Sequence, residues 1–249
     1  MRLPLAITKP QSLFFASMVL FGGYALVRHL HLSYFPVVTQ ADAACYEQCL
    51  AQANFTVAAV AGILGWLAWG WKNLWNLPGR PWLTLLMTIG VVASCGYAWG
   101  NQVMSPMTAE YDPVRVGALL LALGLALAEE IGFRGLLYGA VDRLWGEGWA
   151  IAWSAILFTA LHLDQRICAA SPRTALGGLA LSIARARGFS LGNLIVVHFA
   201  AEAAWALYLP MPQALDPQRE AISACVNLLF CVALWKLPPL KSPLKIAHS

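Results

Sequence analysis

Glu129, Glu130 and Arg134 stand in LALAEEIGFRGLLYG, residues 125–139, where almost every neighbour is apolar or glycine. Glu130 and Arg134 are four residues apart, so on a helix they share a face and form an ion pair. Glu129 lies about 100° round the same helix and finds no opposite charge of its own in the segment. Near the centre of a bilayer each ionised side chain costs roughly 2.5–3.5 kcal/mol on insertion scales. Pairing offsets part of that cost for Glu130 and Arg134, and none of it for Glu129. Two bland readings compete. The helix can end early, with Arg134 snorkelling to the interface, or the trio can be a buried structural clamp. Ionisable groups inside membrane helices are functional by default, and that favours chemistry.

Two later segments strengthen the case. SAILFTALHL places His162 four residues after Phe158, and NLIVVHFAAEAAW places His198 and Glu202 at the same spacing. A lone His on an apolar helix is more often a hydrogen-bonded core residue than a ligand. Of the five histidines, however, His29, His31 and His248 sit near ends or loops, and the two inside apolar spans accompany the intramembrane carboxylates. Two imidazoles and up to three carboxylates suit either of two chemistries. A carboxylate can act as general base on a water held by the histidines, which attacks an amide carbonyl. Alternatively His162, His198 and Glu202 can ligate Zn²⁺, which acidifies its bound water. No Ser/His/Asp order, GxSxG elbow, HExxH pair or phosphate-cradling loop is present.

The elements that must position these groups are helices in lipid. The 249 residues are 59% hydrophobic and 11% charged, with a mean hydropathy of +0.64; a soluble domain carries about a quarter charged residues. Apolar runs at roughly 12–34, 54–75, 82–104, 114–138, 149–165, 174–186, 190–209 and 220–236 predict an all-α, polytopic membrane helix bundle of about eight transmembrane helices. The sixth is short. Runs and short loops use up the chain, which predicts one integral membrane domain over residues 1–249 with its motif-bearing core at about 114–209.

Counting Lys and Arg between runs gives ten on one side and five on the other, with Arg134 set aside. The excess places both termini in the cytoplasm, as expected for a multi-pass protein of a bacterial inner membrane. The net charge of +4 then reflects basic loop residues, Arg166, Arg173, Arg185 and Arg187 among them. It does not indicate a nucleic-acid surface, since no basic patch with interleaved aromatics occurs. The first run follows Arg2 and Lys9 but lacks a nearby cleavage site, so it reads as a retained helix and not a signal peptide. Trp71, Trp75, Trp82, Trp145 and Trp149 read as interfacial anchors. Cys45 and Cys49 fall in TQADAACYEQCLAQ, read as the first outward loop, where a disulfide and two unpaired thiols are equally consistent. Cys95, Cys168, Cys225 and Cys231 read as packing residues.

The residues resemble the CPBP family of intramembrane proteases, which includes the eukaryotic CAAX prenyl endopeptidases and bacterial Abi-type proteins. The family pattern is EExxxR on one membrane helix, FxxxH on the next, and HxxxN or HxxxD on a later one. Here it reads Glu129-Glu130-Ile131-Gly132-Phe133-Arg134, Phe158-Thr159-Ala160-Leu161-His162 and His198-Phe199-Ala200-Ala201-Glu202. The resemblance implies that Glu129 activates the catalytic water, that His162 and His198 orient it or help bind a metal, and that Glu130 and Arg134 support the site. The family has been described both as glutamate-type and as metal-dependent.

One position departs from the pattern. Glu202 stands where the family has Asn or Asp, and an ionised Glu cannot donate a hydrogen bond to an oxyanion. It must be protonated, act as a second acid/base, or ligate a metal beside His198. Asn193, five residues before His198, does not replace it on the same face.

The expected activity is hydrolysis of a peptide bond near the membrane-embedded C-terminal end of a substrate protein. The partners are a membrane-anchored or C-terminally tailed protein and the lipid bilayer. Bacterial enzymes that remove C-terminal sorting signals resemble this chain more than a prenyl protease does. Three other readings stand beside it. The chain can be an inactive family member acting as an immunity or partner-binding scaffold. It can be a proton- or cation-coupled transporter, although no repeated halves or paired broken helices are evident. A haem bundle ligated by His162 and His198 leaves the glutamates without a role.

Overall fold

The computed structural model describes residues 9–34, 40–70, 80–99, 113–162, 172–208 and 217–239, and among them every regular element is helical. The helices are α1 (Pro10–Tyr34), α2 (Gln40–Trp69), α3 (Pro81–Trp99), α4 (Pro113–Glu129), α5 (Tyr138–Trp145), α6 (Glu147–Leu161), α7 (Pro172–Ala186), α8 (Leu191–Tyr208) and α9 (Pro217–Lys236). A π-helix, Glu130–Leu137, joins α4 to α5 without a break. Proline opens α1, α3, α4, α7 and α9, the first-turn position where its missing N–H costs nothing.

Chain punctuation fixes how the motif helices meet. Gly146, with φ of 89°, separates α5 from α6. Gly188, with φ of 90°, closes α7. There the Gly188 N–H donates to the Arg185 carbonyl and the Phe189 N–H to the Ala184 carbonyl, a Schellman ending. Ser190 then caps α8: its Oγ accepts the Asn193 N–H at 3.1 Å, and the Asn193 Oδ1 reaches back to the Ser190 N–H at 3.3 Å. Asn193 is committed to this cap, in keeping with its exclusion from the site.

The π segment lies at the centre of the bundle, against α1, α2, α6, α7 and α8. Its eight residues are all buried. Gly132 lets the Phe21 ring of α1 lie against the helix backbone, and Phe21 stacks on Phe133 at 4.0 Å. Around this centre α2 packs on α4, α8 lies between α3 and α4, and α7 lies between α6 and α9.

Polarity is inverted relative to a water-soluble fold. Glu129, Glu130, Arg134 and His198 are buried, while Phe15, Val19, Ile63, Leu86, Ile156 and Leu229 are exposed. Trp82, Trp145 and Trp149 are exposed as well, whereas Trp71 and Trp75 lie outside the described residues.

Several sequence expectations change here. Among the described residues no helix is long and apolar enough to cross a membrane, so the expected crossing segments are present as helices but not as individual spans. The 113–145 rod is divided by the π segment, and α6 and α7 have 15 residues each, about 22 Å of helix against a hydrocarbon core of ~30 Å. The polar stretch at 39–52, expected as a loop, is helical from Gln40. The side chains of Cys45 and Cys49 lie outside the described residues, as do Arg166 and Cys168. Cys231 is buried as expected and Cys225 is exposed; the side chain of Cys95 lies outside the described residues.

Candidate active site

The Glu130–Arg134 pair forms with an Nη1–Oε1 distance of 3.0 Å, and neither side chain has any exposure. The same Glu130 oxygen accepts the Nδ1 proton of His198 at 2.7 Å. Arg134 extends the network across the bundle, with its Nη2 donating to the Gly178 carbonyl of α7 at 2.8 Å. Its guanidinium lies over the Phe158 ring of α6 at 4.5 Å, a cation–π contact. One arginine thus ties the π segment to α6 and α7, and the shared carboxylate ties it to α8.

Glu129 is treated differently. It is 1% exposed, yet both of its carboxylate oxygens lack a hydrogen-bond partner among the described residues. Oε1 lies 3.9 Å from His162 Nε2 and Oε2 lies 3.8 Å from His198 Nε2. On the far side, His198 Nε2 is 3.7 Å from Glu202 Oε1. These separations are too long for direct hydrogen bonds and right for one bridging water, which sits about 2.8 Å from each partner.

The outer nitrogens of both imidazoles are fixed. His162 Nδ1 donates to the Phe158 carbonyl at 2.8 Å, and His198 Nδ1 donates to Glu130. In the neutral tautomer each Nε2 therefore presents a lone pair toward Glu129. Phe158 holds this arrangement from the side, with its ring centroid 4.5 Å from the His162 ring and 5.9 Å from that of His198. Exposure rises outward, from Glu129 at 1% and His198 at 4% to His162 at 20% and Glu202 at 27%. The site opens on the side of His162 and Glu202.

Residues 113–204 match the family described as type II CAAX prenyl endopeptidase, Rce1-like. The matched stretch is less than half of the chain and marks a resemblance of this segment to that family. It contains α4, the π segment, α5 to α7 and most of α8, and with them all seven residues singled out from the sequence. The resemblance supports a protease function. Neither a curated protein nor a solved structure gives a significant match to the chain.

Imidazoles whose second nitrogen is anchored to a carbonyl or carboxylate are suited by type to zinc. Among the described residues no group of three or more His, Cys, Asp and Glu side chains is found that could hold a metal ion. Glu202 approaches only His198 among the two histidines.

Sequence reading missed part of the support. Ser154 Oγ donates to the Phe133 carbonyl at 3.2 Å, and Ser182 Oγ reaches Ser154 Oγ at 3.2 Å and the Gly178 carbonyl at 2.9 Å. Small hydroxyls in apolar helices carry little signal, but the Gly177-Gly178 pair could have flagged close helix approach. Arg185 and Arg187, read as loop topology signals, are 5% and 7% exposed. Arg185 Nη1 donates to the Phe189 carbonyl, and Arg187 pairs with Glu147 at 2.9 Å and lies over Trp235. Arg173 pairs with Glu220 at 3.1 Å.

Proposed function

We propose that the chain is an intramembrane endopeptidase that hydrolyses a peptide bond near the membrane-embedded C-terminal end of a substrate protein, with Glu129 as general base. The observation that carries this is the Glu129 carboxylate: buried, without a hydrogen-bond partner among the described residues, and 3.9 and 3.8 Å from the Nε2 atoms of His162 and His198. Leaving a buried carboxylate unsatisfied costs several kcal/mol, and such a group is found where it has work to do.

In this reading Glu129 takes a proton from water as the hydroxide adds to the scissile carbonyl. His162 and His198 accept the water's second hydrogen in turn and set its direction. The proton on Glu129 then passes to the amide nitrogen as the C–N bond breaks. Glu202, when it carries a proton, supplies the donor that the oxyanion requires, at the position where the resembled family pattern has Asn or Asp. Glu130 and Arg134 keep His198 in the useful tautomer. The exposed apolar side chains and the hydropathy of the chain support a lipid setting. Entry from the side of His162 and Glu202 suits a substrate tail that leaves the bilayer.

The test is cleavage, in liposomes, of prenylated CAAX peptides and of membrane peptides bearing C-terminal sorting signals, by wild type and Glu129→Gln. Cleavage by wild type alone, with product masses that locate the bond, supports the reading and identifies the substrate class. Cleavage by neither moves the scaffold and transporter readings ahead. The same assay after exhaustive chelation separates glutamate-type from metal-dependent hydrolysis: activity persists in the mechanism above, whereas loss with recovery on adding Zn²⁺ makes His162 and His198 metal ligands.

A further inference from the structure

Phe158 touches three members of the site, and its own position is set from α7. A Cβ built on Gly178 would stand 2.5 Å from Phe158 Cδ1, 3.1 Å from Cε1 and 3.2 Å from Cγ. Carbon atoms in contact sit about 3.5–4.0 Å apart, so only glycine lets the ring lie where it does. The other sides of the ring are occupied by the Arg134 guanidinium at 4.5 Å, the His162 ring at 4.5 Å and the Phe133 ring at 5.9 Å. A ring displaced from α7 therefore moves against groups that hold the site. The Gly178 carbonyl meanwhile accepts both Arg134 Nη2 and Ser182 Oγ, which fixes the glycine itself.

We infer that Gly178 is a positioning residue for hydrolysis, acting through the Phe158 ring on His162 and Arg134. Its kinetic part rests on the protease reading above; its geometric part does not. Adding a methyl group asks the ring to move by roughly 1 Å, a displacement able to cost up to about 100-fold in rate when it reaches catalytic groups. Gly177 is the natural control, since a Cβ there meets only Asn227 Nδ2 at an ordinary 3.5 Å.

The experiment is a double-mutant cycle on the full chain in micelles and liposomes: Gly178→Ala, Phe158→Leu and the double variant, with Gly177→Ala alongside. The histidine ring signals are followed by NMR, and His162 is assigned by their loss in His162→Asn. Gly178→Ala is expected to lower kcat about 10- to 100-fold while KM stays within about twofold. It is also expected to shift the His162 signals, which report the nearby aromatic ring. Gly177→Ala does neither. In the Phe158→Leu background Gly178→Ala has no further effect on kcat, because the ring it displaces is gone. Losses that add, or His162 signals in Gly178→Ala that match wild type, overturn the inference even if that variant is less stable. If wild type cleaves none of the peptides, the protease reading fails, and the NMR shift still decides whether Gly178 sets the ring.

Discussion

Glu147 and Glu129 show two ways of keeping a carboxylate in this bundle. At the start of α6 Glu147 closes on Arg187 at 2.9 Å, and Arg80 binds the Arg187 carbonyl at 3.2 Å and the Pro238 carbonyl at 2.6 Å. That region is a seam in which charged groups meet at hydrogen-bond length and join α6, α7, α9 and the start of α3. At Glu129 the facing nitrogens stop 3.8 and 3.9 Å short. The difference is in the spacing: contact where a charge holds helices together, and a gap at the carboxylate proposed here as the general base. Glu130, next in sequence to Glu129, belongs with the seam by this measure, bound by both Arg134 and His198.

The comparison can be broken most severely at Glu129 itself. Glu129→Gln is expected to lower kcat by about 10²- to 10⁴-fold with no loss of thermal stability, since a neutral amide is easier to bury there than a carboxylate. A variant that retains activity ends the general-base assignment. Arg134→Met tests the opposite kind of site. It leaves Glu130 charged in the interior with His198 as its remaining partner, and a loss of up to about 3–5 kcal/mol is expected in unfolding experiments. Adding Glu130→Gln should restore much of that, and no recovery would show that Arg134 acts by packing alone.

Glu202 lies between the two extremes, part-exposed and 3.7 Å from His198. Glu202→Ala is expected to cost about 10²-fold in kcat, whereas Glu202→Gln, which keeps a donor, should stay within about tenfold of wild type. Equal losses in the two variants would favour an acid/base role for the carboxyl. The smallest effect belongs to the seam. Glu147 is 33% exposed, so Glu147→Gln is expected to change stability by about 1 kcal/mol or less and leave cleavage rates unaltered.

The candidate site residues are more legible in the sequence than the groups that support them. Glu130 and Arg134 declare themselves because an i,i+4 pair follows from helix geometry alone. His162, His198 and Glu202 stand out because polar groups in apolar segments are rare. The helical content was visible too, but its limits were not. Hydropathy missed the start of α2 because 39–52 is polar, although Ala41, Ala43, Ala44 and Ala51 favour helix by propensity. Arg185 and Arg187 passed for loop signals because the Gly188 turn that folds them inward has no hydropathy signature. Gly178 and the Ser154–Ser182 pair gain their meaning only from what another helix brings against them.

The π segment has a consequence for chain length. The Phe133 carbonyl accepts the N–H of Tyr138, five residues on, and also the Ser154 hydroxyl; an α-helix would bond four residues on. The segment therefore stores slack between two berths, one for α4 against α2 and α8, the other for α5 against α1 and α6. Each residue added or removed turns a helix by about 100°. A chain one residue shorter here could seat Glu129 before its histidines or seat α5 in its groove, but not both. The position of Glu129 is written in the count of residues between Glu130 and Leu137 as much as in their identity.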